Sequence, residues 1–308
     1  MTRILVVGSL NMDLVVQVPR LAREGETLAG GDLALIPGGK GANQACAAAR
    51  LGGDAAMIGQ VGQDVFGTQL IDGLRAAGAD TSGIGISEGA TGTAFIAVLP
   101  SGENSILISP GANAGLTPEL AVNRITNAGS GSFLLCQLEV PLATVEAVLL
   151  HARTHGMITI LDPAPARALS RDLLRCVDWL TPNQTEAELL LGAPAGSVRT
   201  FAEARIAALR LRESGPRGVI VKLGELGCYA SAPGADAPVT GFVVNAVDTT
   251  AAGDTFNGAL AVALAEGKPI LEAAAFANAA AAISVTRAGA QISIPWRVDV
   301  EEFLRAHE

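Results

Sequence analysis

The sequence lacks any cluster of basic residues. Its 308 residues include 21 Lys and Arg against 30 Asp and Glu, a net charge of -9, which excludes the basic face of a nucleic-acid-binding protein. Charged residues make up only 17% and hydrophobic residues 49%, a balance that excludes extensive disorder and supplies ample material for a core. Small anionic substrates stay possible, because a few local dipoles suffice to bind them.

Cysteines are few, and they are scattered at Cys46, Cys136, Cys176 and Cys228. No C-x-x-C pattern of a redox or zinc site occurs, and the spacing is typical of reduced core residues of a cytoplasmic protein. The N-terminal residues lack the long apolar stretch of a signal peptide, and no apolar run of transmembrane length is free of polar breaks. We therefore expect a cytoplasmic protein without a membrane partner.

Two nucleotide-binding motifs are also missing. The first apolar run, residues 4–8, leads into GSLNMD rather than the G-x-G-x-x-G of a dinucleotide-binding fold, which counts against a dehydrogenase. A G-x-x-x-x-G-K-[ST] phosphate loop does not occur either.

Apolar runs of strand length alternate with segments of helical period along most of the chain. Strands are predicted at 4–8, 55–62, 133–139, 158–163, 179–183 and 218–224, and helices at 42–51, 67–77, 142–153, 184–191, 202–213 and 254–266. This alternation predicts a three-layer α/β/α core with a mostly parallel sheet, in a single domain spanning residues 1–308.

Two segments, about 14–39 and 91–108, have strand character but no accompanying helices. The second alternates around a Pro-Ser-Gly-Glu-Asn turn, which predicts a hairpin. We interpret both as a small β-sheet that forms a lid over the site. Its uncovered apolar face favours a homodimer.

The stretch VDTTAAGDTFNGAL, residues 247–260, places an acid directly before an apolar helix. The small residues Ala251, Ala252 and Gly253 leave backbone N–H groups free to bind a phosphate. Asp254 is placed to accept a proton from an attacking hydroxyl. The alternative from this motif alone is an ordinary acid in the first helical turn.

This stretch resembles the signature of the ribokinase family of sugar and nucleoside kinases. Further segments match that family in order along nearly the whole chain: GSLNMD (8–13), GGKGANQA (38–45), GAN (111–113), QLE (137–139), DPAPAR (162–167), TPNQTEAE (181–188), KLGELG (222–227) and TRAGAQISIPW (286–296). The resemblance implies an ATP-dependent kinase with Mg²⁺ as cofactor. Within the family, the pattern favours the 5-hydroxyl of D-ribose as acceptor.

The resemblance also implies the binding residues. The sugar would contact Asp254 and the residues Asn11, Asp13, Gly39, Lys40, Asn43 and Glu139. The nucleotide would contact Asn183, Glu186, Lys222, Gly224, Gly227, Gly253 and Asn278. In TPNQTE, the N-x-x-E spacing also predicts a capping box, and both roles can coexist. Relatives often have a neutral residue at position 222 and some have His at position 278, so these two contacts are the least defined.

A monovalent-cation site for K⁺ is implied in the same way. Its ligands would come from Asp248, Thr250, Ser284, Arg287, Gly289 and Ser293, and oxygen ligands suit a hard cation. The alternatives are a kinase for deoxyribose, fructose or a nucleoside, and a sugar- or nucleotide-sensing protein of the same fold. An intact Asp254 counts against a pure sensor, which needs no base.

Overall fold

The computed structural model describes residues 2–307, and strands and helices alternate through most of them. The strands are β1 (Arg3–Val7), β2 (Asn11–Gln17), β3 (Leu33–Gly38), β4 (Asp54–Gly62), β5 (Ile84–Ser87), β6 (Gly92–Val98), β7 (Asn104–Ser109), β8 (Phe133–Cys136), β9 (Ile158–Leu161), β10 (Trp179–Leu180), β11 (Gly218–Lys222), β12 (Gly227–Ala232) and β13 (Ala235–Thr240). Within the described residues, nine of them form the main sheet in the order β13-β12-β11-β10-β9-β8-β1-β4-β5. The pairs from β11 to β5 are parallel, and β12 and β13 extend the sheet antiparallel.

Helices cover both faces of this sheet, as the alternation predicts. They are α1 (Lys40–Arg50), α2 (Val65–Ala76), α3 (Pro118–Ile125), α4 (Leu142–Thr154), α5 (Arg171–Leu174), α6 (Gln184–Leu191), α7 (Phe201–Arg212), α8 (Ala252–Ala265), α9 (Ile270–Ser284) and α10 (Arg297–Arg305). In β1, Ile4 and Val6 pack into one apolar layer with α1, α2, α8 and α9, whereas Leu5 and Val7 pack into the other with α3, α4, α6 and α7. The predicted three-layer core is confirmed. In the part of the chain described here, no helix has both the length and the apolar composition to cross a membrane.

Helices α1 and α8 pack unusually closely, and this contact fixes the site. A Cβ built on Gly258 of α8 would lie 2.6 Å from the Cβ of Ala47 and 2.8 Å from the carbonyl oxygen of Gln44 on α1. Residues Gly41 to Ala48 are all buried. The polar side chains of the two helices are therefore held at a fixed separation, because close-packed interiors resist small displacements.

A second sheet of four strands, here called the small sheet, has the order β3-β2-β6-β7. Strands β6 and β7 form the predicted hairpin, and β2 pairs in parallel with β6. Side chains alternate between faces, so Asn11 and Asp13 share one face of β2 and Leu14 lies on the other. Leu14 is in register with Leu35 and Phe95, and Phe95 with Leu107.

The boundaries of several elements differ from the sequence prediction. Strand β2 begins at Asn11 rather than near residue 14, so that both candidate sugar residues lie on the small sheet instead of in a loop after β1. The 218–224 segment ends as a strand at Lys222, and a 3₁₀ turn at Gly224–Leu226 leads into the antiparallel strand β12. Helix α8 begins at Ala252, two residues before Asp254.

Candidate active site

The candidate site lies where the parallel strands of the main sheet end at their carboxyl termini. A cavity of about 850 Å³ opens there, in the position where open α/β sheets bind ligands. The predicted residues that line it are Lys40, Asn183, Glu186, Lys222, Gly224, Gly227, Ala251, Ala252, Gly253, Asp254 and Asn278. All seven predicted nucleotide residues are thus brought together around one cavity.

Asp254 is buried at the inner end of this cavity, with 5% of its surface exposed. Its two carboxylate oxygens accept separate hydrogen bonds from α1, Oδ2 from Asn43 Nδ2 at 2.9 Å and Oδ1 from Gln44 Nε2 at 3.1 Å. Burial raises the pKa of Asp254 to about 6, and the charge of Asp162 adds to this, whereas Lys40 and the two amides act in the opposite direction. A carboxylate with such a pKa suits general-base catalysis near neutral pH.

The N-terminus of α8 presents backbone N–H groups beside this carboxylate. Ala251, the residue before the helix, has φ 60° and ψ 10°, which makes it the one non-glycine residue with positive φ in residues 2–307. The N–H of Ala252 already donates to the carbonyl oxygen of Thr249 at 3.3 Å. Of the three predicted phosphate donors, Ala251 and Gly253 therefore have no acceptor among the described residues, whereas Ala252 is partly used within the turn.

Lys40 is half-buried among four carboxylates. Burial by itself would lower the pKa of Lys40, but the surrounding negative charges outweigh it and raise this pKa above its ordinary value; they belong to Asp254, Asp162, Glu139 and Glu186. Lys222 adds a second cation, since its Nζ lies 3.1 Å from Asp162 Oδ1 in an ion pair that is nearly inaccessible to solvent. The site thus combines buried acids with two fixed cations.

Lys40 and Asp254 line the cavity, whereas the other predicted sugar residues lie outside its lining: Asn11, Asp13, Gly39, Asn43 and Glu139. Glu139 Oε2 accepts hydrogen bonds from the backbone N–H of Lys40 at 3.1 Å and from Ser9 Oγ at 2.5 Å. A Cβ built on Gly38 would lie 2.5 Å from Asp13 Oδ2. Burial raises the pKa of Asp13 to about 7, and the charge of Glu139 contributes to the shift. Asp13 and Glu139 therefore form an acidic pair able to bind vicinal hydroxyls.

Gly39 and Asn11 complete this group. Gly39 has φ 88°, and a Cβ there would come within 2.7 Å of the backbone nitrogen of Asn11, so only glycine fits this turn without strain. Asn11 Oδ1 accepts a hydrogen bond from Asn113 Nδ2 at 2.8 Å. Asn113 also bonds both backbone groups of Leu10, so it holds the start of β2 in place.

On the nucleotide side, the predicted capping box is present at the start of α6. Asn183 Oδ1 accepts from the N–H of Glu186 at 2.8 Å, and Glu186 Oε2 accepts from the N–H of Asn183 at 2.8 Å. Burial raises the pKa of Glu186. Asn278 uses its amide to donate to the carbonyl oxygens of Val239 and Thr240, so it joins α9 to β13 as well as lining the cavity.

The residues of the implied cation site lie in the turn before α8 and in the segment that runs from the end of α9 to Ser293. Asp248 Oδ1 accepts from the N–H of Thr250 at 2.9 Å, and Oδ2 accepts from the N–H of Gly289 at 2.8 Å. The hydroxyls of Ser284 and Ser293 donate to carbonyl oxygens one turn earlier, which leaves lone pairs free. Arg287 pairs with Asp299, so only its backbone carbonyl could serve as a ligand.

Several site residues were not identified from the sequence. Gln44, Gln137 and Asp162 are buried and joined by hydrogen bonds at the centre of the site. Asp162 and Gln137 directly follow the buried strands β9 and β8, and a polar residue at the carboxyl end of a parallel strand is the signal that could have found them.

A buried carboxylate with a raised pKa, free N–H groups at a helix start and an adjoining pair of acids together suit a phosphotransferase for small polyhydroxylated acceptors. The family model described as pfkB family carbohydrate kinase matches residues 1–297, and the chain belongs to that family of carbohydrate kinases.

Individual relatives span nearly the whole chain. It is 44% identical to the ribokinase of Haemophilus influenzae over 97% of both chains. The crystal structure of the Thermotoga maritima ribokinase superposes with a TM-score of 0.89 at 41% identity, covering 99% of this chain and 100% of the other. The Arabidopsis thaliana ribokinase complexed with ribose and ATP also gives 0.89, at 34% identity and 99% coverage of both.

Proposed function

We propose that the protein is an ATP-dependent kinase that phosphorylates the 5-hydroxyl of D-ribose. The observation that carries this proposal is the position of Asp254, a buried carboxylate with a raised pKa beside the free N–H groups of α8. Ribose and ATP are the ligands of the similar Arabidopsis structure, and the acidic pair of Asp13 and Glu139 suits a polyhydroxylated acceptor. Four free thiols, three of them buried, accord with a cytoplasmic location.

In the proposed reaction, the ribose hydroxyl lies between Asp254 and the γ-phosphate. Asp254 accepts the hydroxyl proton as the oxygen attacks phosphorus, and the bond to the β-phosphate oxygen breaks in line. The N–H groups of Ala251 and Gly253 stabilise charge on the transferred phosphoryl group. Movement of the small sheet toward the cavity would exclude water and so suppress hydrolysis of ATP.

The donor set suits a magnesium ion that is bound mainly by the nucleotide. No group of three or more His, Cys, Asp or Glu able to hold a metal occurs among residues 2–307, whereas Asp162 and Glu186 both face the cavity. Mg²⁺ retains several waters and takes phosphate oxygens as ligands, so these two carboxylates would hold it through water. When bound, the ion neutralises charge on the phosphates.

The direct test is ATP-dependent phosphorylation of a panel of ribose, deoxyribose, fructose and adenosine, with Mg²⁺ present. We expect ribose to give the highest kcat/KM. A preference for another acceptor would change the substrate assignment while leaving the role of Asp254 intact. Failure to phosphorylate any of these acceptors would contradict the proposal and favour the alternative of a sugar- or nucleotide-sensing protein.

The dependence of kcat/KM on pH is expected to follow the two raised pKa values. Asp254 must be ionised to accept a proton, so activity falls as the pH drops through about 6. Ionised Asp13, whose pKa is about 7, accepts stronger hydrogen bonds from the sugar than its protonated form. The wild type should thus lose activity in two steps on the acid side.

The variant Asp13→Asn separates the two steps. It should retain a single acid limb with a midpoint near 6, measured as kcat/KM for ribose between pH 5 and 9. An Asp13→Asn protein without any acid limb would contradict the assignment of Asp254.

We further propose that K⁺ binds between the turns of Asp248 and Gly289. The carboxylate of Asp248 already joins these turns, and a cation held by their carbonyl oxygens would rigidify the adjacent start of α8. We expect K⁺ to raise kcat in a buffer free of other monovalent cations, and Asp248→Ala to abolish that increase. Equal rates with K⁺, Na⁺ and tetramethylammonium would contradict this site.

We also propose that one face of the small sheet, the face that carries Leu14, Phe95 and Leu107, forms the interface of a homodimer. Phe95 and Leu107 are 51% and 71% exposed. Together with Leu14 and Leu35 they form a continuous apolar row. Exposed apolar rows of this kind mark interfaces. The opposite face carries Asp13, so dimer contacts would support the sugar pocket from outside.

Sedimentation velocity tests this interface. We expect the wild type to sediment as a dimer and Leu107→Asp as a monomer. Ile206→Asp on α7, where the side chain is also exposed, is the matched control and should remain dimeric. A monomeric wild type at micromolar concentration would refute the proposal.

A further inference from the structure

The carboxylate of Asp254 is held by a chain of two buried glutamines. Gln44 Nε2 lies 3.1 Å from Asp254 Oδ1 and 3.1 Å from Asp162 Oδ2. Gln44 Oε1 accepts a hydrogen bond from Gln137 Nε2 at 2.6 Å. Gln44 is 1% exposed and Gln137 is fully buried, so the chain is separated from solvent.

The charges around the two amides fix which way they face. Ionised carboxylates only accept hydrogen bonds, so the nitrogen of Gln44 must face Asp162 and Asp254. Its oxygen therefore faces Gln137, which must donate. Gln137 Oε1 is then left without a partner among the described residues. It lies against Gly8, where a Cβ would come within 2.0 Å.

The unpartnered oxygen of Gln137 lowers the stability of the folded protein, and the fold alone does not require a polar side chain at this position. A buried acceptor without a hydrogen bond is destabilising, and an apolar side chain of similar size would avoid the loss. Position 137 nevertheless has a glutamine, whose amide nitrogen donates a hydrogen bond to Gln44. The bond therefore points to a role in orienting Gln44.

Through Gln44, Asp254 is tied to an ion pair on the other half of the sheet. Asp162 follows β9 and pairs with Lys222 of β11 at 3.1 Å. The remaining charged group that acts on Asp254 is Lys40 of α1, which is also surrounded by Glu139 and Glu186. Because Asp162 and Asp254 repel one another, an amide donor between them fixes their relative position.

We propose that Gln44, oriented by Gln137, is a positioning residue that holds the carboxylate of Asp254 toward the acceptor hydroxyl. The role in turnover rests on the proposed kinase function, whereas the effect on the carboxylate itself does not. The hydrogen bond from Gln44 favours the ionised form of Asp254. Its removal should disturb both the geometry and the protonation of the base.

The near-isosteric variants Gln44→Met and Gln137→Met test the chain by steady-state kinetics. We expect Gln44→Met to lower kcat by about 30-fold with little change in KM for ribose, because a misplaced base affects the chemical step. The acid limb of kcat should move upward by about one pH unit. Gln137→Met should act in the same direction, and the double variant should be no worse than Gln44→Met.

Thr159→Val is the matched control. It removes a buried hydroxyl that bonds Asp178 and Cys176 at the opposite end of β9, and it should leave the acid limb unchanged. Wild-type kcat and acid limb in Gln44→Met would overturn the proposal. So would a loss of activity with an unshifted limb, which a merely structural role predicts. If Gln44→Met fails to fold, Gln137→Met decides by the same criteria.

A second measurement does not depend on activity. The substrate-free protein, with ¹³C-carboxyl-labelled aspartate, is titrated by NMR, and the signal of Asp254 is identified by its absence in Asp254→Asn. A higher midpoint in Gln44→Met than in the wild type supports the proposal, and an equal midpoint overturns it. If no sugar is phosphorylated, the kinase assignment fails but this titration still decides.

Discussion

Asp254→Asn is expected to lose turnover by about 1000-fold, the middle of the range for a general base, and yet to be more stable than the wild type at pH 8. The carboxylate is buried, and its pKa is about 6 against an ordinary 3.8. The folded state therefore binds this proton more tightly than the unfolded state. The resulting stability is complete below about pH 4 and is lost as the pH rises through 6.

The size of this effect follows from the two pKa values. A difference of about two pH units corresponds to about 3 kcal/mol. Asparagine carries no charge, so the variant avoids the cost of burying an ionised carboxylate at pH 8. We expect a net gain in the free energy of unfolding of about 1–2 kcal/mol, because the charge-assisted hydrogen bonds to the carboxylate are lost. Asn43 can turn its amide to match, because its Oδ1 has no partner in residues 2–307.

Urea denaturation at pH 5 and pH 8, together with kinetics, measures both parts of this prediction. Asp64→Asn is the control of opposite sign. Asp64 caps α2, and hydrogen bonds from Thr91 and Gly67 outweigh its partial burial and lower its pKa. Replacing it should cost stability at pH 8. An Asp254→Asn protein that is active, or less stable than the wild type at pH 8, would refute the assignment of Asp254 as a buried base with a raised pKa.

Lys222→Met is expected to have the largest effect on stability. It would leave Asp162, which is 3% exposed, as a buried charge without its cation. Breaking such a pair by removing one partner costs about 3–5 kcal/mol. The double variant Lys222→Met/Asp162→Asn should regain most of this loss, since no unpaired charge remains.

Activity should not recover with stability in the double variant. Lys222 lines the cavity where the phosphates are proposed to bind, so we expect a raised KM for ATP in both proteins. Arg205→Met removes the exposed ion pair with Asp236 and should cost less than about 1 kcal/mol. If Lys222→Met costs no more than this control, the buried pair does not hold the two halves of the site together.

The main sheet could be predicted because its strands are buried on both faces and read as continuous apolar runs. The small sheet could be predicted because its two segments have strand character and are not accompanied by helices. Asn11 and Asp13 were identified from their motif, but their place on β2 was not, since a polar residue beginning a strand has the same sequence signal as one in a loop. The turn from Lys222 into the antiparallel strand β12 was not predicted either, because its glycines are compatible with many loop conformations.

Asp254 was identified from its neighbours in the chain, whereas Gln44 and Gln137 were not. Their roles depend on contacts between residues more than 90 positions apart, and a buried glutamine leaves no local pattern. The shifted pKa values of Asp13 and Asp254 also result from burial and distant charges, which no short motif records.

Ala251, in its left-handed conformation, has a consequence for the entropy of phosphate binding. Alanine in this region costs about 1–2 kcal/mol, which glycine would avoid. Glycine, however, would give the turn before α8 many more conformations, and the arriving nucleotide would have to order them at each catalytic cycle. With a small constant strain at Ala251, the turn proposed to bind phosphate keeps one conformation before any ligand binds.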